Sequence, residues 1–370
     1  MPFDPRKPYN DLPVLPPSAD IENRRILRKT VTAARELAEL RQAGRLIPNQ
    51  TVLINTIPLL EAHDSSEIEN VVTTTDALFR LAAREDAQAD PAAKEAYRYR
   101  TAMRRGFEDL QQRSLGTNTA ILVYQVLLNT SAGIRRTPGT CIGNPATGEV
   151  VYTPPEGESI IRDKLTGWER FLHAPDGTDP LIRLAMMHYQ FEAIHPFTDG
   201  NGRTGRILNL LYLIQSGLLD VPVLYLSRYI LQRRSEYYEL LLNVTERADW
   251  EPWVLYILDA VEETAGWTRK KISSVHDLMS HTSEFMREKL PRIFSRELCE
   301  VIFTQPYCRI ANLGEAGIAK RQTASVYLKE LVRIGVLREE TVGRDKLFLH
   351  PKFLRLLTGE DNTFTSYHGI

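Results

Sequence analysis

A chain of 370 residues, 43% hydrophobic and 25% charged, is long enough for two or three domains and ordinary enough in composition to bury their cores. Its formal net charge of −1 offers no chain-wide field for nucleic acid or a membrane surface, so any basic patch must be local. Cys141, Cys299 and Cys308 are too scattered for a disulfide framework or a Cys-rich zinc site, and no apolar run approaches the roughly 18 residues of a spanning helix. A cytoplasmic protein without membrane contact is expected.

The first 18 residues are proline-rich and read as an extended arm, with Tyr9, Leu12, Val14 and Leu15 apolar enough to dock on the body. From 20 to about 44, Ile26, Leu27, Ala33, Ala34, Leu37 and Leu40 recur at helical spacing, and Gly44 is a natural stop. A second helix is predicted from about 49 to 62, bent or ended early by Pro58. In Ser65-Ser66-Glu67-Ile68-Glu69-Asn70 a serine precedes a carboxylate by three residues, the spacing of a capping box that opens a helix. Residues 91–130 read as two helices broken near 114–116. Between 133 and 155 two short β-like pieces flank Asn144, Pro145 and Gly148, which predicts a hairpin ending in Pro154-Pro155.

Asp179 followed by Pro180 marks a helix start, and the helix runs to Ile194 with His188 on it as a packed core histidine. Pro196 disfavours helical geometry at the residue before it, so the chain breaks at His195 and carries the imidazole on a loop. Gly200-Asn201-Gly202 then opens a helix bearing Ile207, Leu208, Leu211, Ile214 and Leu218 on one side. Within twelve residues, 195 to 206, stand a base, a carboxylate, three glycines and two arginines three apart. Glycines let backbone amides approach an anion, a helix N-terminus adds partial positive charge, and two guanidiniums there call for a bound anion. A polyphosphate fits. Asp199 is a hard oxygen ligand for Mg²⁺, the amides of Gly200, Asn201 and Gly202 would face α- and β-phosphates, Arg203 the β- and Arg206 the γ-phosphate. His195 would take a proton from a hydroxyl.

Tyr237 and Tyr238 are adjacent on a later helix and cannot both face the core. Trp250, Pro252 and Trp253 start another helix through Trp267, and a separate long helix is predicted from 271 to 290. Three further helices, 296–303, 310–313 and 320–331, precede a hairpin from 340 to 348 around Gly343-Arg344. This order resembles a winged helix-turn-helix. Lys320, Arg321, Lys329 and Arg333 could meet DNA phosphates, but Glu330, Glu339 and Glu340 are interspersed, so protein interaction is preferred over DNA binding.

The stretch His195-Pro196-Phe197-Thr198-Asp199-Gly200-Asn201-Gly202-Arg203-Thr204-Gly205-Arg206 resembles the signature His-Pro-Phe-x-Asp/Glu-Gly-Asn-Gly-Arg-x-x-Arg of the Fic family. The resemblance implies a mainly α fold: a Fic-type helical bundle with a β-hairpin flap, plus the C-terminal winged helix-turn-helix domain. The implied division is 1–110 for the arm and an N-terminal helical region, 111–265 for the catalytic core, 266–290 for a linker helix and 291–370 for the winged helix. It implies a protein adenylyltransferase that moves AMP from ATP to Ser, Thr or Tyr hydroxyls with Mg²⁺ as cofactor. His195 is then catalytic, Asp199 binds metal, and the stretch from Gly200 through Thr204 and Gly205 to Arg206 binds ATP, with Tyr238 beside the adenine. The hairpin is then the flap on which the target protein adds a strand. Gly202 differs from the lysine of the phosphate-transferring branch, and a choline-phosphate donor, used by another branch, stays open.

Ser65-x-x-x-Glu69-Asn70 looks like the family's inhibitory motif Ser/Thr-x-x-x-Glu-Gly/Asn, which places Glu69 on Arg206. Two alternatives stand beside an autoinhibited transferase: a DNA-binding regulator whose Fic-like part senses a nucleotide, and a relative that removes AMP from protein. The resemblance also raises self-modification and a homodimer, neither of which any residue establishes.

Overall fold

The computed structural model describes residues 3–46, 50–84, 89–143, 147–342 and 345–367. Among these, the N-terminal half forms α1 (Arg24–Leu46), α2 (Thr51–Ile68), α3 (Thr75–Arg84), α4 (Pro91–Asp109), α5 (Thr117–Leu128), β1 (Ile142–Gly143), β2 (Val150–Tyr152) and α6 (Glu158–Leu172). The centre follows with α7 (Pro180–Ile194), α8 (Asn201–Gln215), α9 (Leu226–Gln232), α10 (Arg234–Arg247) and α11 (Trp250–Lys289). The C-terminal part holds α12 (Arg296–Phe303), β3 (Tyr307–Cys308), α13 (Ile310–Glu315), α14 (Arg321–Arg333), β4 (Arg338–Val342), β5 (Asp345–Leu349) and α15 (Pro351–Thr358). Among the described residues no helix is long and apolar enough to cross a membrane.

Proline keeps the N-terminal arm extended, and polar contacts hold it on the body. Tyr9 N–H donates to Thr153 O at 3.0 Å, Gln190 Nε2 to Pro13 O at 2.9 Å and Lys164 Nζ to Leu12 O at 2.5 Å. Leu12 is buried as expected, but Val14 points outward, 66% exposed, so the arm docks by its backbone more than by that side chain. The apolar stripe of α1 (Ile26, Ala33, Leu37, Leu40) is buried against α11. The latter is one unbroken helix of 40 residues, where two were expected. Gly266 lies inside it at a close approach: a Cβ there would stand 3.3 Å from Glu36 Oε2 of α1.

Pro58 neither ends nor shortens α2, which runs on to Ile68. The lost bond to Ile54 O costs up to about 3 kcal/mol, and burial of Val52, Leu53, Ile57, Leu59 and Leu60 against α4 and α9 outweighs it. Ser65 to Ile68 therefore form the last turn of α2 and do not open a new helix. The new helix is α3, where Thr74 Oγ1 accepts the Ala77 N–H at 3.1 Å. Helices α3, α6, α9 and α15 were not predicted, although Ile161, Leu165, Trp168 and Leu172 repeat at helical spacing.

β1 and β2 pair antiparallel in the expected hairpin, while Asn144 and Pro145, like Asn49 and the Gly343-Arg344 tip, lie outside the described residues. In the C-terminal part the sheet order is β3-β5-β4, antiparallel, with Arg338 opposite Leu349. Helix, strand, two helices and a two-stranded wing follow one another as in a winged helix; β3 is the strand that sequence reading missed.

Glu61 and Ser65 of α2 and Glu69, its C-cap, follow at successive spacings of four and so share one side of the helix. Glu61 is 1% exposed and accepts from Tyr99 OH at 3.0 Å, Ser227 N at 2.9 Å and Ser227 Oγ at 2.5 Å, which ties α2 to α4 and α9. Burial pushes its carboxyl up from 4.5 to about 7, against the pull of Ser227, Tyr99 and Arg206. The folded state thus binds a proton that the unfolded chain releases, so this contribution is complete below about pH 4.5 and is lost as pH rises through about 7. Chemical denaturation of wild type and Glu61→Gln from pH 4.5 to 8 should show wild type losing up to about 3 kcal/mol relative to the variant. Parallel profiles would show that Glu61 does not titrate in that window.

Candidate active site

His195 is positioned by the helix that precedes it. Asp179 caps α7, its Oδ1 accepting the Leu181 N–H at 2.8 Å, and nearly every side chain from Leu181 to Ile194 is buried. At His195 the backbone turns left-handed, φ 49° and ψ 60°, because Pro196 forbids another helical residue and the His195 N–H still reaches Phe191 O at 3.0 Å. A non-glycine residue with positive φ stores strain that its surroundings must enforce. The imidazole is half-buried and its Nδ1 is enclosed without a partner among the described residues. Burial, followed by the nearby Arg135 charge, pushes it down from 6.5 to about 4, so it stands neutral as a base. His188, by contrast, is a core histidine as expected, with Nε2 2.9 Å from Tyr237 OH and its ring stacked on Trp253.

The turn after His195 is closed by one side chain. Asn201 Oδ1 accepts the Phe197 N–H at 2.9 Å and its Nδ2 donates to Phe197 O at 2.8 Å. Gly200 adopts φ 70°, and a Cβ there would meet Leu128 Cδ2 at 2.9 Å, so both conformation and space require glycine. Asp199 is exposed at the mouth of the turn, with Oδ1 accepting the Gly200 N–H at 2.6 Å. The first intrahelical bond of α8 runs from Thr204 N to Gly200 O, so the amides of Asn201, Gly202 and Arg203 are the donors of a helix N-terminus, whereas the Gly200 amide, expected to face phosphate, is engaged by Asp199.

Arg203 and Arg206 do not project into solvent; they are 2% and 1% exposed, and each meets an internal carboxylate. Arg203 Nη1 donates to Glu95 Oε1 at 2.6 Å. Arg206 donates from Nε to Ser65 Oγ at 2.8 Å, and from Nη2 to Ser65 O at 2.8 Å and Glu69 Oε1 at 2.9 Å. Against the cost of burial, Glu69 and nearby tyrosines hold the Arg206 proton more firmly than usual. A Cβ on Gly202 would run into Glu69 Oε1 and stand 3.0 Å from Arg206 Nη1. The Glu69 carboxylate thus lies against the first turn of α8, where the amides and the dipole favour an anion.

Thr204 is buried, with its N–H spent on Gly200, and a Cβ on Gly205 would meet Phe191 and the Glu192 carboxyl. That carboxyl is pushed by burial up to about 8, which keeps it neutral beside Arg206 at neutral pH. Tyr237 faces the core and Tyr238 lies outside it, 42% exposed, with Arg234 Cζ 5.9 Å from its ring.

Sequence reading passed over Arg135. It is 3% exposed, its Nε donates to His195 O at 2.7 Å, and its Nη2 donates to Pro155 O and to Ile194 O at 3.4 Å. Its own N–H reaches Pro196 O at 2.9 Å. One guanidinium therefore joins the end of the hairpin to the strained turn that carries His195. Tyr152 OH adds a bond from β2 to Ala193 O at 2.7 Å. Nothing in the sequence separates Arg135 from its neighbour Arg136, which is exposed.

Residues 114–213 match the Fic/DOC family model, 27–108 the Fic/DOC family N-terminal model, and 278–353 the C-terminal domain of protein adenylyltransferase SoFic-like. The chain is 34% identical over 120 residues to a protein adenylyltransferase Fic of Culex quinquefasciatus, covering 31% of this chain and 22% of that one. It is 42% identical over 81 residues to protein adenylyltransferase fic-1 of Caenorhabditis elegans, 21% of this chain and 14% of that one. The chain thus spans less than a quarter of the length of these relatives. In fold it is similar to a Fic family protein from Desulfovibrio desulfuricans G20, with TM-score 0.51 and 18% identity over 87% of this chain and 95% of that one. It is likewise similar to Fic-1 (aa134 - 508) from C. elegans, with TM-score 0.51 and 19% identity over 68% and 74%. Three matched models in tandem, together more than half of the chain, and the continuous stretch from His195 to Arg206 agree: the chain belongs to the Fic/DOC family.

Proposed function

We propose that this protein is an adenylyltransferase that moves AMP from ATP to a hydroxyl of a target protein, and that Glu69 holds it inactive. The observation that carries the reading is the 2.9 Å pair between Glu69 Oε1 and Arg206 Nη2, set against Gly202 within the turn that begins at His195. An internal carboxylate sits where a terminal phosphate would sit. The relatives' name, protein adenylyltransferase, supports the same chemistry.

In this reading a Ser, Thr or Tyr oxygen of the target attacks the α-phosphorus of ATP. The bond from that phosphorus to the oxygen bridging to the β-phosphate breaks, pyrophosphate leaves, and the hydroxyl proton passes to His195. Most of the work is positioning and charge neutralisation. The free amides at the start of α8 face the phosphates, Arg206 takes the γ-phosphate once Glu69 withdraws, and Arg203 exchanges Glu95 for the β-phosphate. Tyr238, exposed on α10, borders the adenine. Asp199 is an exposed carboxylate beside that anion cradle, a donor set that fits Mg²⁺, which would neutralise phosphate charge when bound. Arg135 keeps the His195 carbonyl and the flap in register and so fixes the base relative to the target strand. In the C-terminal module, Arg333 pairs with Glu330, Arg338 with Glu340 and Lys346 with Glu339, so part of its basic charge is met internally, which favours a protein partner over DNA.

With ATP labelled at the α-phosphate, Glu69→Gly should raise label transfer to a target or to the chain itself by about 5- to 150-fold, the range of a 1–3 kcal/mol coupling. His195→Ala should abolish transfer while ATP binding persists. Absence of label even with Glu69→Gly would refute the reading. Because burial lowers the His195 imidazole to about 4, the base stays unprotonated well below pH 6. The rate of Glu69→Gly should accordingly hold from pH 8 down past pH 6; a fall centred near 6.5 would mean an ordinary, solvated histidine.

A further inference from the structure

Outside the glycine turn, a further arginine lines a cavity of about 260 Å³ between α2, α9, α11 and the end of α15. Arg228 of α9 is 13% exposed, and its Cζ lies 4.9 Å from the centre of the Trp267 ring. Lys271 Nζ lies 4.9 Å from the centre of the same ring and donates to Leu356 O at 2.6 Å and Gly359 O at 2.7 Å. Arg228 Nη2 donates to Glu360 Oε2 at 2.6 Å, yet Glu360 is 74% exposed and sits on the short segment after α15. Arg228 Nε and Trp267 Nε1 are enclosed and have no acceptor among the described residues.

The anionic side of this cavity is already engaged. Asp64 lies 2.7 Å from His63 Nδ1, and His63 Nε2 lies 3.1 Å from Thr73 O. With a carboxylate and a carbonyl as partners, both ring nitrogens serve as donors, so His63 offers no lone pair to a metal. Glu263 reaches Arg228 only at 3.9 Å. An unsatisfied buried N–H is costly, and two such groups, Arg228 Nε and Trp267 Nε1, belong to residues that line this cavity. A cavity smaller than the roughly 300 Å³ of a drug-sized pocket admits only a small ligand.

We propose that this cavity is a binding site for a small oxyanion, phosphate or a short carboxylate, held by the Arg228 guanidinium and the Trp267 indole N–H. The exposed Glu360 carboxylate is its displaceable internal occupant. One wall is the turn of α2 that precedes Ser65 and Glu69, so the ligand touches the same helix that carries the Arg206 partner. None of the three residues belongs to the glycine turn, and the proposal does not depend on AMP transfer.

The test is calorimetric titration of the full chain with inorganic phosphate, and in a parallel arm with succinate, which separates a tetrahedral from a carboxylate ligand. Saturable binding of at least one is expected. Glu360→Ala should tighten it several-fold, Arg228→Gln should abolish it, and Trp267→Phe, which keeps the ring and loses only the N–H, should weaken it about tenfold. Arg206→Gln should leave it unchanged, which separates this site from the α8 N-terminus. Should Arg228→Gln fail to fold, as judged by circular dichroism, Trp267→Phe and Glu360→Ala decide the matter. No saturable binding to either anion by Glu360→Ala, or binding lost in Arg206→Gln and kept in Arg228→Gln, would overturn the proposal.

Discussion

A buried guanidinium must be paired, and in this chain the demand falls on Arg206. It is 1% exposed, and it is answered from one short segment: Ser65 Oγ and Ser65 O lie in the last turn of α2, and Glu69 Oε1 belongs to the C-cap of the same helix. Removing an opposite charge from a buried pair is costly, so an anion that displaces Glu69 must take over its hydrogen bond as well as its charge. A phosphate oxygen offers both. The competition between the two anions needs α2 held at the right depth, and that is set by Glu61, two turns back, fastened to Tyr99 and Ser227. The polar row Glu61, Ser65, Glu69 thus does two jobs in one helix face: its first member fixes the helix, its last faces the helix terminus.

The other half of the centre rests on a different arginine. Left-handed geometry at His195 is unfavourable for a side chain with a Cβ, and Arg135 stabilises it by collecting the carbonyls of Ile194 and His195 that the turn leaves outside the helix. The same guanidinium reaches Pro155 O, so the turn cannot move without the hairpin. This buried cation is also one reason the imidazole stays neutral, after burial itself. Position and basicity of His195 therefore share one source.

What was legible in the sequence was what is contiguous. His195 to Arg206 form the turn and the helix start because Pro196, Gly200 and Asn201 act within a few residues of one another. Glu69 was legible only through a spacing pattern, and its pairing with Arg206 spans 137 positions. Arg135, Glu95 and Glu61 were not legible, since their partners lie at least 20, 108 and 38 positions away and nothing local distinguishes them from ordinary polar residues. The errors in the fold have the same origin. Pro58 was expected to break α2 by a local rule, and tertiary burial overrode it. Residues 267 to 271 were read as a joint in α11, yet they form continuous helix packed on both the N-terminal helices and the C-terminal part.

The segment after Glu69 links the centre to the C-terminal module. Arg234 holds Asn70 at 3.2 Å, and His63 holds the Thr73 carbonyl. The α3 helix that follows then docks on the sheet of the module: Tyr307 OH donates to Asp76 Oδ1 at 2.5 Å, and Arg80 pairs with Glu340 at 2.8 Å while covering the Tyr307 ring. Glu69 therefore sits between two anchored stretches, α2 on one side and α3 on the other, and the second anchor belongs to a different part of the chain from Arg206. A change in how the C-terminal module holds α3 acts on a connection of only five residues, 70 to 74, before it reaches the carboxylate. Glu69 and Glu360 share one trait: each is a carboxylate more exposed than the arginine it pairs with, Arg206 for the first and Arg228 for the second. A carboxylate that keeps contact with water while its arginine does not can leave at lower cost than the arginine can, provided that another anion takes its place.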